Sequence, residues 1–139
     1  MNDDEEYART WLSFALGDLR AARGGRRANM RARIVAFHAQ QAAEKALKAA
    51  LVLDGIHPPP KHDLDELRVL LPPAWRVKKH PRSLTRLADY GVDAKYPDHA
   101  IQVRPADAGV AVRQAIAVVR LVREDFERRG TRTADLKPA

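Results

Sequence analysis

Apolar residues recur at three- and four-residue steps along most of the chain, which is the spacing of amphipathic helices. The first such stripe consists of Trp11, Leu12, Ala15, Leu16, Leu19 and Ala22. It predicts a helix from Glu5 to Ala22. Gly24 and Gly25 follow after Arg23, and because paired glycines favour a turn, we expect the helix to end there.

A second, longer helix is predicted from Arg26 to Asp54, a stretch without glycine or proline. Gly55 is a suitable C-terminal stop, and the prolines at 58–60 cannot continue a helix because each lacks a backbone donor. Shorter apolar stripes predict helices from His62 to Leu71 and from Ser83 to Ala94.

The last helix is predicted from Ala106 to Arg128, with Pro105 well suited to its first position. The order long, long, short, short, long, with brief connections, predicts an all-α fold. Its architecture is an antiparallel up-and-down bundle of four to five helices. We expect one domain over residues 1–129 and a flexible C-terminal tail over residues 130–139.

Composition supports this picture and narrows the chemistry. Of 139 residues, 45% are hydrophobic and only 6% aromatic, which favours helices with small-residue contacts. Cysteine is absent, which excludes disulfides and thiol nucleophiles. The net charge of +7 makes phosphate-bearing or acidic partners plausible. Without a secretory pattern or a long apolar run, we expect a cytoplasmic protein that does not enter the membrane.

The long second helix has two distinct sides. One arc of about 100° holds the close-packing residues Ala36, Ala39, Ala43, Ala46, Leu47 and Ala50. The opposite arc, here called the mixed face, holds His38, Gln41, Glu44, Lys45 and Lys48 together with Ile34, Phe37 and Val52. Two interpretations stay open: a contact surface, or a solvated side where lysine stems cover Phe37 and Glu44 pairs with Lys48.

Three ordered motifs carry a family resemblance. They are "FHAQQAAEKALKAAL" from Phe37, "HDLDEL" from His62 and "YGVDAKYPD" from Tyr90. Over Trp11 to Phe126 the chain resembles the HEPN domain, named for higher eukaryotes and prokaryotes nucleotide-binding. The resemblance implies a helical bundle, commonly homodimeric. Many small prokaryotic members act with a minimal nucleotidyltransferase in toxin–antitoxin or related two-component complexes.

The resemblance also indicates site residues. Gln41, Glu44, Lys45 and Lys48 match its long-helix motif, His62 and Asp63 match its "HDL" element, and Tyr96 matches its "RYPD" element. The predicted nucleotide-, RNA- or partner-binding set is therefore Phe37, Gln41, Glu44, Lys45, Lys48, His62, Asp63 and Tyr96.

The catalytic motif of the family's ribonucleases is altered in this chain. Those members use an Arg, four to six residues, and a His, whereas Lys95 replaces the arginine here and His99 follows after only three residues. Lysine lacks the planar fork that grips phosphate. Arg33 and His38 have the right spacing but lie in the first half of the chain, about 140° apart on a helix. Lys95, His99, His38 and Arg33 are the catalytic candidates.

The sequence leaves three functions open. The first is a binding module that holds a nucleotide or RNA, or a nucleotidyltransferase partner, on the mixed face. The second is a metal-independent endoribonuclease toxin, and the third is a dimeric scaffold whose seam is the mixed face. No set of histidines and carboxylates has metal-ligand spacing and no Gly-rich phosphate loop is present, so we expect neither a metal nor a cofactor.

Overall fold

A computed structural model describes residues 2–93 and 102–139 of the chain. Within those ranges the structure has five α-helices, a single 3₁₀ turn at Arg76–Lys78 and no β-strand. The helices are α1 (Asp3–Arg27), α2 (Ala32–Leu53), α3 (Leu64–Val69), α4 (Thr85–Asp93) and α5 (Pro105–Arg128). The predicted all-α bundle is confirmed.

Helix α1 begins at a side-chain cap and is longer than predicted. The Asn2 Oδ1 atom accepts a hydrogen bond from the Glu5 backbone N–H at 2.7 Å. The prediction that Gly24 and Gly25 end the helix is wrong, because α1 continues to Arg27. Gly25 is buried beneath the next turn, and that packing offsets the helix cost of a glycine, about 1 kcal/mol.

The turn between α1 and α2 therefore lies further along the chain. Asn29 adopts a positive φ of 55°, and the Met30 backbone N–H donates to the Gly25 carbonyl at 2.9 Å. As a result α2 begins at Ala32 rather than at Arg26. The arginines between 26 and 31 thus belong to the end of one helix and to the turn.

Helix α2 is the centre of the bundle and packs against both α1 and α5. The predicted close-packing side is confirmed, since each of its members is fully buried: Ala36, Ala39, Ala43, Ala46, Leu47 and Ala50. Small side chains allow the helices to approach closely along this side. From α5, Ala115, Val118 and Phe126 are buried as well.

Interhelix contacts define the helix directions. Lys45 of α2 pairs with Asp18 of α1, and Lys48 lies over the ring of Trp11. Later residues of α2 thus contact earlier residues of α1, so the two helices run antiparallel. For α2 and α5, the residues that directly follow the two helices form an ion pair, with Asp54 Oδ1 3.7 Å from Arg129 Nε. Helices α2 and α5 consequently end at the same side of the bundle, and α3, the 3₁₀ turn and α4 form the return path between them.

Trp75 joins that return path to the core. Its ring is fully buried, and its Nε1–H donates to the Asp54 Oδ2 atom at 2.6 Å. The Arg129 guanidinium lies 4.0 Å above the ring centroid. Trp75 therefore fixes the return path against the ends of α2 and α5.

The segment from 130 to 139 packs on α1 and α5. The Arg9 guanidinium donates to the Arg132 carbonyl at 2.7 Å and forms an ion pair with Asp135, also at 2.7 Å. Thr133 is buried, and its hydroxyl donates to the Glu127 carboxylate. Within the described ranges, no helix is both long enough and apolar enough to cross a bilayer.

Candidate functional site

A buried carboxylate organises part of the mixed face. Glu44 is 5% exposed and accepts hydrogen bonds from Gln40 Nε2 at 3.0 Å and from Lys48 Nζ at 3.2 Å. Gln41 in turn donates to Gln40 Oε1 at 2.7 Å. With His62, these residues form what we call the Glu44 network. Each buried polar group thereby has a partner, which offsets its desolvation.

His62 connects the Glu44 network to solvent. Its Nδ1 atom lies 3.0 Å from Glu44 Oε1, while 54% of its side chain is exposed. A carboxylate at Nδ1 favours the tautomer with hydrogen there, which leaves Nε2 as an acceptor. A carboxylate and an exposed imidazole in this arrangement can take a proton from a hydroxyl.

Asp63 beside it has a local role. Its carboxylate accepts hydrogen bonds from the backbone N–H groups of Asp65 at 3.0 Å and Glu66 at 3.1 Å, which caps the N-terminus of α3. The predicted ligand contact of Asp63 stays a prediction. The "HDL" motif thus places one side chain on the network and uses the next to begin a helix.

A second carboxylate, contributed by α1, binds two more residues of the mixed face. Asp18 accepts from Lys45 Nζ at 2.6 Å, and its other oxygen lies 3.1 Å from His38 Nδ1. Asp18 is absent from the predicted site, as is Gln40. The available signal for Asp18 is its place on the stripe of Tyr7, Trp11 and Phe14 at helical spacing.

These pairings balance the charge of the mixed face. Lys45 is matched by Asp18 and Lys48 by Glu44, so its two lysines are neutralised within the chain. A charge-balanced surface exerts little long-range attraction on a phosphate chain. The pairing of Glu44 with Lys48 is confirmed, but both side chains are buried rather than solvated. The cations predicted to bind a ligand already have carboxylate partners.

Aromatic side chains border the same region. Tyr7 is 53% exposed and Phe14 is 47% exposed on α1, with Trp11 between them in an edge-on contact with Tyr7 at 6.1 Å. Phe37 makes a similar contact with His38 at 5.6 Å. We define the α1–α2 face as Tyr7, Trp11 and Phe14 of α1 together with Phe37, His38, Gln41 and Lys45 of α2. It combines aromatic area with the paired charges of Lys45 and Asp18, while the buried Nε1–H of Trp11 has no hydrogen-bond partner among the described residues.

The structure does not bring the catalytic candidates together among the residues that it describes. Lys95 and His99, like the predicted binding residue Tyr96, lie outside the described residues. Arg33 lines a small cavity at the start of α2 with Met30 and Val103, whereas His38 pairs with Asp18. Arg33 and His38 therefore belong to different surroundings. Among residues 2–93 and 102–139, no group of three histidine or acidic side chains could hold a metal ion.

Comparisons with known proteins agree with the fold. The sequence model described as "HEPN domain" matches residues 8–125. Among solved structures, the chain is similar to the crystal structure of TT1696 from Thermus thermophilus, with a TM-score of 0.72 and 29% identity. That match covers 84% of this chain and 96% of the other. The comparison with curated proteins found no match.

Proposed function

Because this chain belongs to the HEPN domain family, we propose that it is a nucleotide- or RNA-binding module acting with a minimal nucleotidyltransferase partner. The pair would form a two-component system of the toxin–antitoxin kind, with this chain as a homodimer. The α1–α2 face supports the protein contact, and it is the observation that carries the proposal.

Two properties of the α1–α2 face favour a protein partner. First, Tyr7 and Phe14 are about half exposed, although aromatic rings of this size are normally covered. Exposed aromatic residues surrounded by polar groups are typical of protein interfaces. Second, the charges of Asp18 and Lys45 are paired at 2.6 Å, so covering them leaves no isolated ion buried.

The test combines the chain with a minimal nucleotidyltransferase encoded by a neighbouring reading frame. We expect a complex by size-exclusion chromatography with light scattering. Phe14→Asp should weaken the complex at least tenfold, because it places a charge among aromatic contacts. Val110→Asp is the matched control, since Val110 is 46% exposed but lies on α5. Equal effects of both substitutions, or no complex for the unmodified chain, would contradict the proposal.

The same variants separate the scaffold alternative. If the α1–α2 face is only a homodimer seam, Phe14→Asp should convert the isolated chain from dimer to monomer without any partner. A Phe37→Asp, Lys45→Glu variant should do the same, because both positions belong to this face. Retention of the dimer with loss of the complex supports the partner surface.

A second candidate function is a metal-independent endoribonuclease. The observation that favours it is the exposed His62 imidazole held by the buried Glu44 at 3.0 Å, an arrangement suited to activating a ribose hydroxyl. RNA cleavage should then persist in EDTA and disappear in His62→Ala. His57→Ala, at an exposed loop position, is the control. His38→Ala and His99→Ala test the remaining histidine candidates in the same assay.

A further inference from the structure

A cluster of arginines surrounds a cavity at the end of the bundle where the α1–α2 turn meets the start of α5. Arg23, Arg26 and Arg27 from α1 and Arg113 from α5 line a space of about 750 Å³. Val35 and Val112 are buried side chains in its wall. We call this cavity the arginine groove.

The arginines of the groove have no carboxylate partner among the residues that the structure describes. None of the four takes part in an ion pair of the described chain, and the described residues that line the cavity include no acidic side chain. Asp107 lies in the first turn of α5 but pairs with other arginines. Its Oδ2 atom is 3.4 Å from Arg104 Nε, and its Oδ1 atom is 3.9 Å from Arg86 Nη2. This differs from the α1–α2 face, where Asp18 and Glu44 neutralise the lysines.

Uncompensated guanidinium groups around one concavity repel each other, and an anion that enters relieves this repulsion. Arginine is also the cation whose fork of donors matches phosphate oxygens in two-point contacts. Ala32 and Pro105, the first residues of α2 and α5, line the same cavity, so the positive ends of two helix dipoles add to the field.

The arginines extend beyond the groove, further than a single phosphate group could reach. A second cavity of about 530 Å³ shares Arg23 and Arg27 with the groove and adds Arg20. A third, of about 480 Å³, shares Ala32 and Pro105 and adds Arg31 and Arg33. The arginines thus continue on both sides of the groove, which suits a ligand that presents several phosphates in a row.

We propose that the arginine groove binds a ligand with consecutive phosphate groups, at a site separate from the α1–α2 face. This inference deepens the proposed function, because it places the phosphates of the nucleotide or RNA away from the surface assigned to the protein partner. Both could then be bound at the same time. It also gives Arg33 a role in phosphate binding rather than in catalysis with His38.

One contact offers a test that leaves the charge unchanged. The Arg26 guanidinium packs over Gly109 of α5, where an added Cβ would lie 2.7 Å from Arg26 Nη2. Gly109→Ala therefore displaces this guanidinium without removing a charge. Because an alanine is favourable in a helix, the variant should remain folded, which circular dichroism checks.

The experiment measures binding of a fluorescein-labelled oligouridine of about twelve nucleotides by anisotropy, and of ATP by titration calorimetry. Arg23→Gln, Arg27→Gln should weaken binding at least tenfold, and Gly109→Ala several-fold. Arg120→Gln, Arg128→Gln is the control, because it removes the same charge from exposed positions outside the groove. For RNA, the logarithmic slope of affinity against salt should become shallower by about 1.4 in the double variant, which loses two phosphate contacts.

The outcomes are distinguishable. Weakening confined to the groove variants supports the site, and the two probes show whether the phosphates come from an RNA strand or from a free nucleotide. If both arginine pairs weaken binding equally, or if the groove variants bind like the unmodified chain, the site is overturned while nucleotide or RNA binding stands. If the unmodified chain binds neither probe, the ligand part of the proposed function falls together with the groove.

Discussion

The side-chain amide of Gln40 lies directly against the backbone of Gly91, so that a Cβ at position 91 would be 2.4 Å from Gln40 Cδ. Gln40 is fully buried and hydrogen-bonded to Gln41 and Glu44, so moving its amide would break these bonds. Helix α4 can therefore close over the Glu44 network only if residue 91 has no side chain.

Gly91→Ala should destabilise the protein, because the added methyl group forces Gln40 out of its hydrogen bonds. We expect a loss of about 1–3 kcal/mol in the free energy of unfolding, measured by urea denaturation. Gly24→Ala is the control, since nothing lies within 4 Å of its added Cβ. That variant should gain up to about 1 kcal/mol from helix propensity. A neutral Gly91→Ala would show that the contact is not tight.

Glu44→Gln should be strongly destabilising. It leaves Lys48, whose side chain is only 10% exposed, without its counter-charge. Removing one partner of a buried ion pair costs about 3 kcal/mol or more. Glu66→Gln is a suitable comparison, because the Lys61–Glu66 pair is 55% exposed on both sides and such pairs contribute at most about 1 kcal/mol. Similar unfolding free energies for the two variants would contradict a structural role for the network.

The Arg9–Asp135 pair predicts a pH dependence of stability. The hydrogen-bonded Arg9 guanidinium lowers the pKa of Asp135 from 3.8 to about 2. Between these values the unfolded chain binds more protons than the folded one, so stability rises with pH there. The contribution of the Arg9–Asp135 pair to the free energy of unfolding is complete above about pH 4 and is lost as the pH falls through about 2.

Thermal melts between pH 6 and pH 2 on Asp135→Asn test this assignment. The variant should melt at a lower temperature than the unmodified chain at pH 6, and the difference should shrink as the pH falls. Arg9→Gln should reduce the same part of the pH dependence, and the double variant should reduce it no further. An unchanged temperature difference from pH 6 to pH 2 would exclude the pair as the cause.

The two tryptophans provide separate reporters. Trp11 lies on the α1–α2 face, whereas Trp75 is fully buried against Phe126, with ring centroids 6.1 Å apart. In Trp75→Phe, the emission of Trp11 should change when the nucleotidyltransferase is added. In Trp11→Phe, the emission of Trp75 should not. For this readout the partner's own tryptophans are replaced, or their emission is subtracted. A change in the emission of Trp75 alone would show that the partner does not bind at the α1–α2 face.

Much of the fold was predictable from local patterns. The apolar stripes located the five helices, and Pro105 marks the first residue of α5 as expected. The end of α1 was mispredicted because glycine permits a turn without requiring one. Whether Gly25 continues a helix depends on what packs over it, and Met30 and Val35 are brought there only by the turn itself.

The candidate site was predicted in its composition but not in its pairing. The repeated polar positions of α2 identified Gln41, Glu44, Lys45 and Lys48, and helical spacing alone indicated the pair between Glu44 and Lys48. The partner of Lys45 is Asp18, on another helix, and no local pattern relates the two. The sequence likewise did not indicate Gly91 as a site residue, because its contact with Gln40 forms only when α4 packs against α2.

By itself the sequence determined an all-α chain, an alanine side on α2 that is buried throughout, and a net charge of +7. Periodicity and composition are properties of short segments, so they can be read before folding. Only the tertiary structure decided which charges remain available. Asp18 and Glu44 neutralise the lysines of α2, whereas Arg23, Arg26, Arg27 and Arg113 converge on one cavity that has no acidic side chain in its lining among residues 2–93 and 102–139. Electrostatic pairing acts over a few ångströms between distant segments, and packing alone sets those distances.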